Sequence, residues 1–358
     1  MFRKIIVIIF GILVITEVII MPGTAKADIK ATSVTVPNTP QDLFVSQLKE
    51  KGYLFFKGNN SIKLAQGVLE KLGKNMTISF NVSALKNRDI AFVGIALRPL
   101  GKKYITMLYV VEGQCDVNDV KEFLRERITF LREPLIMSAD RDWKFIGSTT
   151  WKVKYTSQYG GQVYHAIRVK YYYTTSTSGQ YAYLAEISHI GDVDRKYLAL
   201  KELYTQVNVP IQNAWFEDFL PFGHGGPQTQ YYEEKSFSYD MFSGDLTYYA
   251  SAGYSISTND GYYFKWEAHS RNPNWDFRVR WYDFKKKTWY GSDFAWGVGF
   301  KTTSSVIEIV ESGNKNAAFR YTARGSFYVR AMSGAIRTVA PPSITFTNFV
   351  NPHGMRED

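Results

Sequence analysis

The sequence predicts an α+β chain: an N-terminal antiparallel sheet of about six strands with packed helices, followed by an all-β sandwich. Three observations carry this prediction. Helical and strand periodicities mix before residue 220, whereas only strand patterns follow it. Within the first part, three strand-like runs followed by a helical run occur twice. Between the parts lies Leu220-Pro221-Phe222-Gly223-His224-Gly225-Gly226-Pro227-Gln228, which continues neither a helix nor a central strand.

The first segment reads as an export signal. Arg3 and Lys4 precede an apolar run from Ile5 to Met21, and the small-x-small sequence Ala25-Lys26-Ala27 follows Pro22 and Gly23. The expectation is cleavage after Ala27 and a secreted chain, extracellular or associated with the cell surface. A retained anchor is the alternative, with Glu17 costing ~2.5–3.5 kcal/mol at mid-bilayer. The expected organisation is then residues 1–27 as signal, 28–219 as the α+β domain, 220–229 as a linker, 230–350 as the sandwich and 351–358 as a polar tail.

Each element follows from a local signal. Thr39 caps a helix with Pro40 at its first position and Asp42 in its first turn, and Gly52 stops it. A short helix from Leu64 to Leu72 ends at Gly73. Strands are expected at Met76–Val82, Ile90–Arg98 and Lys103–Val111. Asp116 then caps a helix with Val117, Val120, Leu124, Ile128 and Leu131 at helical spacing. The second round places strands at Trp143–Thr156, Gln162–Thr174 and Gln180–His189. It ends in a helix capped by Asp192, with Val193, Tyr197, Leu200 and Tyr204 on one stripe. After residue 230, turn sequences such as Ser243-Gly244, Asn259-Asp260-Gly261 and Ser312-Gly313-Asn314 separate aromatic and β-branched runs, as in a sandwich.

Composition narrows the functional classes. The 358 residues carry 43 Lys+Arg against 33 Asp+Glu, a formal net charge of +10, and one cysteine. A single cysteine makes no intramolecular disulfide. Hydrophobic residues at 45% and charged residues at 21% are globular values and argue against global disorder. No phosphate-binding glycine loop, dinucleotide fingerprint, H-E-x-x-H, paired C-x-x-C or G-x-S-x-G elbow is present, and no cofactor is expected. Cys115 precedes a helix start but has no histidine near it in sequence, so it reads as a bystander.

Two strand faces carry the candidate site residues. Alternation in Trp151–Tyr155 and Ile167–Tyr171 places Lys152, Lys154, Arg168 and Lys170 on one side, with Tyr164 and Tyr172 among them. That pattern reads either as a solvated strand face or as a cationic, tyrosine-studded binding surface. On the opposite parity, a hairpin centred near Thr177 sets His165 against His189. Those two read either as a metal or acid/base pair, short of a further ligand, or as histidines hydrogen-bonded at the core edge. Five of the eight tryptophans fall between Trp266 and Trp296. Most of them suit a sandwich core, while Trp289 and Trp296 flank a loop and suit stacking platforms for a sugar face.

These features give three functional expectations. The first is an exported, non-enzymatic binding protein that engages an anionic cell-wall polymer, a glycan or an acidic membrane surface, with salt-sensitive binding. Export makes nucleic acid an unsuitable partner for the same basic, aromatic chemistry. The second is a membrane-active or pore-forming toxin, with Tyr171 to Tyr183 as one amphipathic hairpin. The third is an exported hydrolase using His165, His189 or a carboxylate such as Asp283 or Asp293.

Overall fold

The computed structural model of the chain describes residues 39–80, 88–137, 143–175, 181–194, 197–212, 214–220, 224–228, 230–240, 245–255, 262–268, 273–283, 288–289, 296, 300–310 and 316–352. The export segment, the 176–180 loop and most of the polar tail lie outside these residues.

The described elements run α1 (Pro40–Lys51), β1 (Tyr53–Lys57), α2 (Ser61–Leu72), β2 (Ile78–Phe80), β3 (Ile90–Leu100), β4 (Lys103–Gly113), α3 (Val117–Arg132), β5 (Ile136–Met137), β6 (Trp143–Thr156), β7 (Gln162–Thr175), β8 (Tyr181–Val193) and β9 (Leu198–Asn208). They continue with β10 (Ala214–Leu220), β11 (His224–Gln228), β12 (Gln230–Asp240), β13 (Asp245–Ser255), β14 (Tyr262–Ala268), β15 (Asn274–Asp283), β16 (Thr288–Trp289), β17 (Phe300–Val310), β18 (Ala317–Arg330), β19 (Ile336–Val339) and β20 (Ile344–Val350). The chain is mostly β, built on two sheets.

Among the described residues, the first sheet has the order β1-β3-β4-β6-β7-β8-β17-β13-β12, with β10 beside β17 and β5 beside β6. The second has the order β11-β14-β15-β9-β18-β20-β2, with β16 beside β15 and β19 beside β18. Both sheets draw strands from either side of residues 220–229. β17 pairs with β8 along its whole length, from Phe300 opposite Gly191 to Val310 opposite Tyr181. β18 likewise pairs with β9. Part of the expected linker is itself β11, paired with β14.

Helix ends follow their caps. The Thr39 hydroxyl accepts the Asp42 N–H, and Gly52, at φ 73°, donates its N–H to Leu48 O at 2.8 Å. At α3 the cap is reciprocal. Asp116 accepts the Asn118 and Asp119 N–H groups, and Asp119 accepts the Asp116 N–H at 2.9 Å.

Of the pairings in the first sheet, β4 with β6 is parallel, Thr106 lying opposite Gly147 and Gly113 opposite Lys154. A parallel pair needs a crossover, and α3 supplies it. The crossover lays α3 on one face of the sheet, where Phe123 and Phe130 pack with Phe92, Tyr109 and Phe145. Burying these two rings stabilises the docking by roughly 1.5–3 kcal/mol each. One glycine admits the helix and another the parallel strand. A Cβ on Gly94 would lie 2.6 Å from the Phe123 ring, and one on Gly113, at φ 88°, would lie 2.2 Å from Lys154 O.

The other face of this sheet packs on the second sheet. Trp151 stacks on Phe346 at 5.2 Å and Tyr171 meets Phe319 at 5.6 Å. Asn348 ties the layers by donating to Thr149 Oγ1 at 2.8 Å and to the Tyr171 hydroxyl at 2.6 Å. α1 and α2 add Leu48, Val68, Leu69 and Leu72 to this larger core.

One expected element changes type. The helix capped by Asp192 is the strand β9, and Asp192 itself closes β8. Leu198, Leu200, Leu203, Thr205 and Val207 are all buried. The pairing slips by one residue beside Lys201, where Phe327 faces Leu200 and Ser326 faces Glu202.

Candidate functional site

Lys152, Lys154, Arg168, Lys170 and Tyr172 come together on the face of the first sheet that carries α3. The alternation of β6 and β7 puts their neighbours Trp151, Val153, Ile167, Val169 and Tyr171 into the core between the sheets. The cationic face is the seat of a helix, not an open surface, because the acidic groups of α3 and its ends meet it. Lys154 Nζ lies 2.8 Å from Asp116 Oδ2 and 2.9 Å from Asp119 Oδ2. Lys152 Nζ lies 2.9 Å from Glu122 Oε2 and 3.1 Å from Asp119 Oδ1, the latter an ion pair without hydrogen-bond geometry. Arg168 pairs with Glu126 and approaches Glu122 at 3.8 Å. Lys170 pairs with Glu133 at 2.7 Å, and the Tyr172 hydroxyl donates to the same carboxylate at 3.0 Å. Tyr164 donates to Asp192 and lies beneath Lys152 Nζ at 4.3 Å.

Burial and charge oppose one another along this clamp. Burial pushes the Asp116 carboxyl up, but the Lys154 ammonium and the Asn118 and Asp119 N–H groups outweigh it and hold Asp116 below the usual value. Burial pulls Lys154 down, and its bonds to Asp116 and Asp119 more than restore it. For Glu126 burial prevails over Arg168 and Thr150, and the carboxyl sits above its ordinary value. The arrangement fixes α3 to the sheet.

The acids that complete the clamp were not singled out by sequence. Their signal was available, since Asp119, Glu122 and Glu126 share the helix face of Phe123 and Phe130. Glu308 is a further acid outside the sequence-derived candidates. It is fully buried between the sheets, accepts the Ala318 N–H at 3.4 Å, and is pushed well up by burial.

His165 and His189 share a face but not a register position. His189 lies opposite Ile167, and His165 opposite Gly191, because the hairpin is centred one residue later than expected. His165 Nε2 meets Pro342 O at 3.0 Å. His189 bonds Thr205 Oγ1 at 2.8 Å and Ser304 Oγ at 2.6 Å. Burial pulls the two imidazoles to about 4 and about 3. They are neutral, internally bonded groups of the inter-sheet core. Among the described residues no three His, Cys, Asp or Glu side chains are placed to hold a metal ion. Burial, then the Asp119 charge, pushes the Cys115 thiol up to about 11. That is the opposite of what a nucleophile needs.

Trp296 is half-buried, bridges to Ala199, and lies 4.7 Å beneath the Arg330 guanidinium. The side chain of Trp289 and the loop between the two tryptophans lie outside the described residues, as does the side chain of Asp283. So does Asp293.

The candidate hairpin from Tyr171 to Tyr183 belongs to β7 and β8 in the middle of the first sheet. Tyr171, Tyr172 and Tyr183 are buried there, so that pair is part of the core. A different hairpin stands at the sheet's end. β12 and β13 pair without a break from Gln230 opposite Ser255 to Asp240 opposite Asp245. Register with β17 is given by one pair, Tyr254 with Thr302. The excursion leaves the second sheet after β11 and returns at β14. These two strands are themselves paired, with Gln228 opposite Phe264. No helix among the described residues is long and apolar enough to cross a membrane, which says nothing of strands.

No protein-family model matches the chain, and no curated protein matches it. Among solved structures the chain is similar to "Clostridium perfringens delta-toxin", at 10% identity and a TM-score of 0.34, over 60% of this chain and 93% of that one. It is also similar to a "Pore forming protein", at 9% identity and a TM-score of 0.33, over 60% of this chain and 95% of that one.

Proposed function

We propose that this chain is a secreted, non-enzymatic protein that acts on membranes by detaching and inserting the β12–β13 hairpin. The observation that carries this reading is topological. The hairpin is an excursion between two paired strands, so its ends are neighbours, and it can swing out without unthreading either sheet. Its chemistry agrees. By strand parity and register, Phe237, Tyr239, Leu246, Tyr248, Ala250 and Ala252 share one face, and Ser236, Ser238, Thr247 and Ser251 share the other. Glu233 and Lys235, of opposite charge, interrupt the first face, and Tyr232 and Tyr249 the second. Each strand has 11 residues. A tilted strand of about 9–11 residues spans a bilayer core. An alternating hairpin that closes with copies of itself satisfies its backbone in lipid, which a single open edge does not.

The membrane partner retains one of the three ligand classes expected from composition. The contact itself is not assigned to the Lys152–Lys170 face, whose cations are already paired. The test is dye release from sealed lipid vesicles by the full chain. Release that rises steeply with protein concentration supports the proposal, and vesicles that stay sealed at micromolar protein end it.

A further inference from the structure

The clamp on α3 sorts its charges. Asp116, Asp119, Glu122, Glu126 and Glu133 all turn toward the cations of β6 and β7. The outer face of the helix is what remains. Lys121, Arg125 and Arg132 are exposed there and, among the described residues, make no ion pair. At positions 121, 125, 128 and 132 they follow the i, i+4, i+7, i+11 spacing of a single helical stripe, with Ile128 between them. Ile128 is 46% exposed and Leu131 37%, and Leu135, three residues past the end of the helix, is also 37% exposed. A helix that covers a sheet ordinarily gives its outer side to mixed charges. This one presents an apolar row flanked by cations, with no acid.

We infer that the outer face of α3 is a docking surface for acidic lipid. Ile128, Leu131 and Leu135 enter the boundary between headgroups and acyl chains, while Lys121, Arg125 and Arg132 meet anionic headgroups. Charge complementarity selects this occupant. A neutral protein surface would cover the leucines and leave three cations unpaired, whereas an anionic bilayer takes both. The inference rests on the membrane-acting reading and names the lipid class that reading leaves open. It also gives the inward acids a second consequence, because their pairing with the sheet is what leaves the outer face uniformly positive.

The experiment is co-sedimentation of the full chain with vesicles of phosphatidylcholine alone and with phosphatidylserine added. Wild type is expected to bind the acidic vesicles more tightly and to lose that advantage at high salt, where the screening length shrinks to ~3 Å. The triple variant Lys121→Gln, Arg125→Gln, Arg132→Gln is expected to bind acidic vesicles on the order of a hundredfold more weakly. The charge-preserving variant Lys121→Arg, Arg125→Lys, Arg132→Lys is expected to bind as wild type does. Equal binding of acidic vesicles by wild type and the triple variant overturns the docking surface. If both still release dye, the membrane-acting reading survives that result. Wild type that neither binds nor opens vesicles of either composition removes both.

Discussion

The replacement Asp119→Asn removes the charge at the centre of the α3 clamp while keeping the side chain's shape. Asp119 is fully buried, and both lysines that meet it are nearly so, at 6% and 7% side-chain exposure. Their remaining partners, Glu122 and Asp116, are 30% and 46% exposed. The variant therefore strands two buried ammonium groups on half-solvated partners. Breaking a buried pair in this way costs about 3–5 kcal/mol, most of it the unpaired charge left behind. Urea unfolding at neutral pH, followed by tryptophan fluorescence, should register a loss of about 3 kcal/mol in unfolding free energy. Lys154→Met in the same background should recover part of that loss, since the stranded charge is then gone, giving a coupling of about 1 kcal/mol or more. Asp42→Asn is the matched control. Its partner Lys71 and Asp42 itself are more than one-third exposed, and solvent screening leaves such a surface pair little to contribute. A loss at Asp119 no larger than at Asp42, or strict additivity with Lys154→Met, would refute the clamp.

Two further outcomes concern pH. Burial raises the folded-state pKa of Glu308 above its unfolded value, so the native state keeps a proton that the unfolded chain has released. That contribution is lost as pH rises through the folded value, at about 1.4 kcal/mol per pH unit. Glu308→Gln should therefore gain on wild type with this slope as pH rises from 5, and parallel urea midpoints across pH would contradict it. The histidines act in the other direction. With folded values of about 4 and about 3, His165 and His189 are protonated first in the unfolded chain, and stability is lost as pH falls below 6.5. Each contributes a loss of about 2 kcal/mol between pH 7 and pH 5. His189→Gln should flatten the acid limb by that amount, and an unchanged limb would show that the imidazole is not held neutral.

Much of the local structure was legible. Thr39, Pro40 and Asp116 announce α1 and α3, and the alternation in β6 and β7 separates Lys152, Lys154, Arg168 and Lys170 from the core residues between them. What covers that face was not legible. The covering acids lie 30 to 42 residues from the cations they bond, and no local period records such a pairing. β9 carries a helical spacing for a specific reason. The extra residue at Lys201 breaks the two-residue alternation, leaving Val193, Tyr197, Leu200 and Tyr204 at helical spacing. The joining of β17 to β8 was also beyond reach, since pairing across more than a hundred residues leaves no trace in the composition of either segment. The same holds for the hairpin. Its alternating residues are visible in sequence, but its place between two paired strands is a property of topology.

The claim that β12–β13 detaches to act on a membrane is tested most directly by tying it down. Cys115 is the sole cysteine and is first replaced by serine. Tyr254→Cys and Thr302→Cys are then introduced at the pair that joins β13 to β17. Register partners in an antiparallel pair lie about 4.5–5.5 Å apart at Cα, within reach of a disulfide. The oxidised protein should bind acidic vesicles as wild type does and release no dye, and reduction should restore release. Full release by the oxidised, fully cross-linked protein would contradict the account.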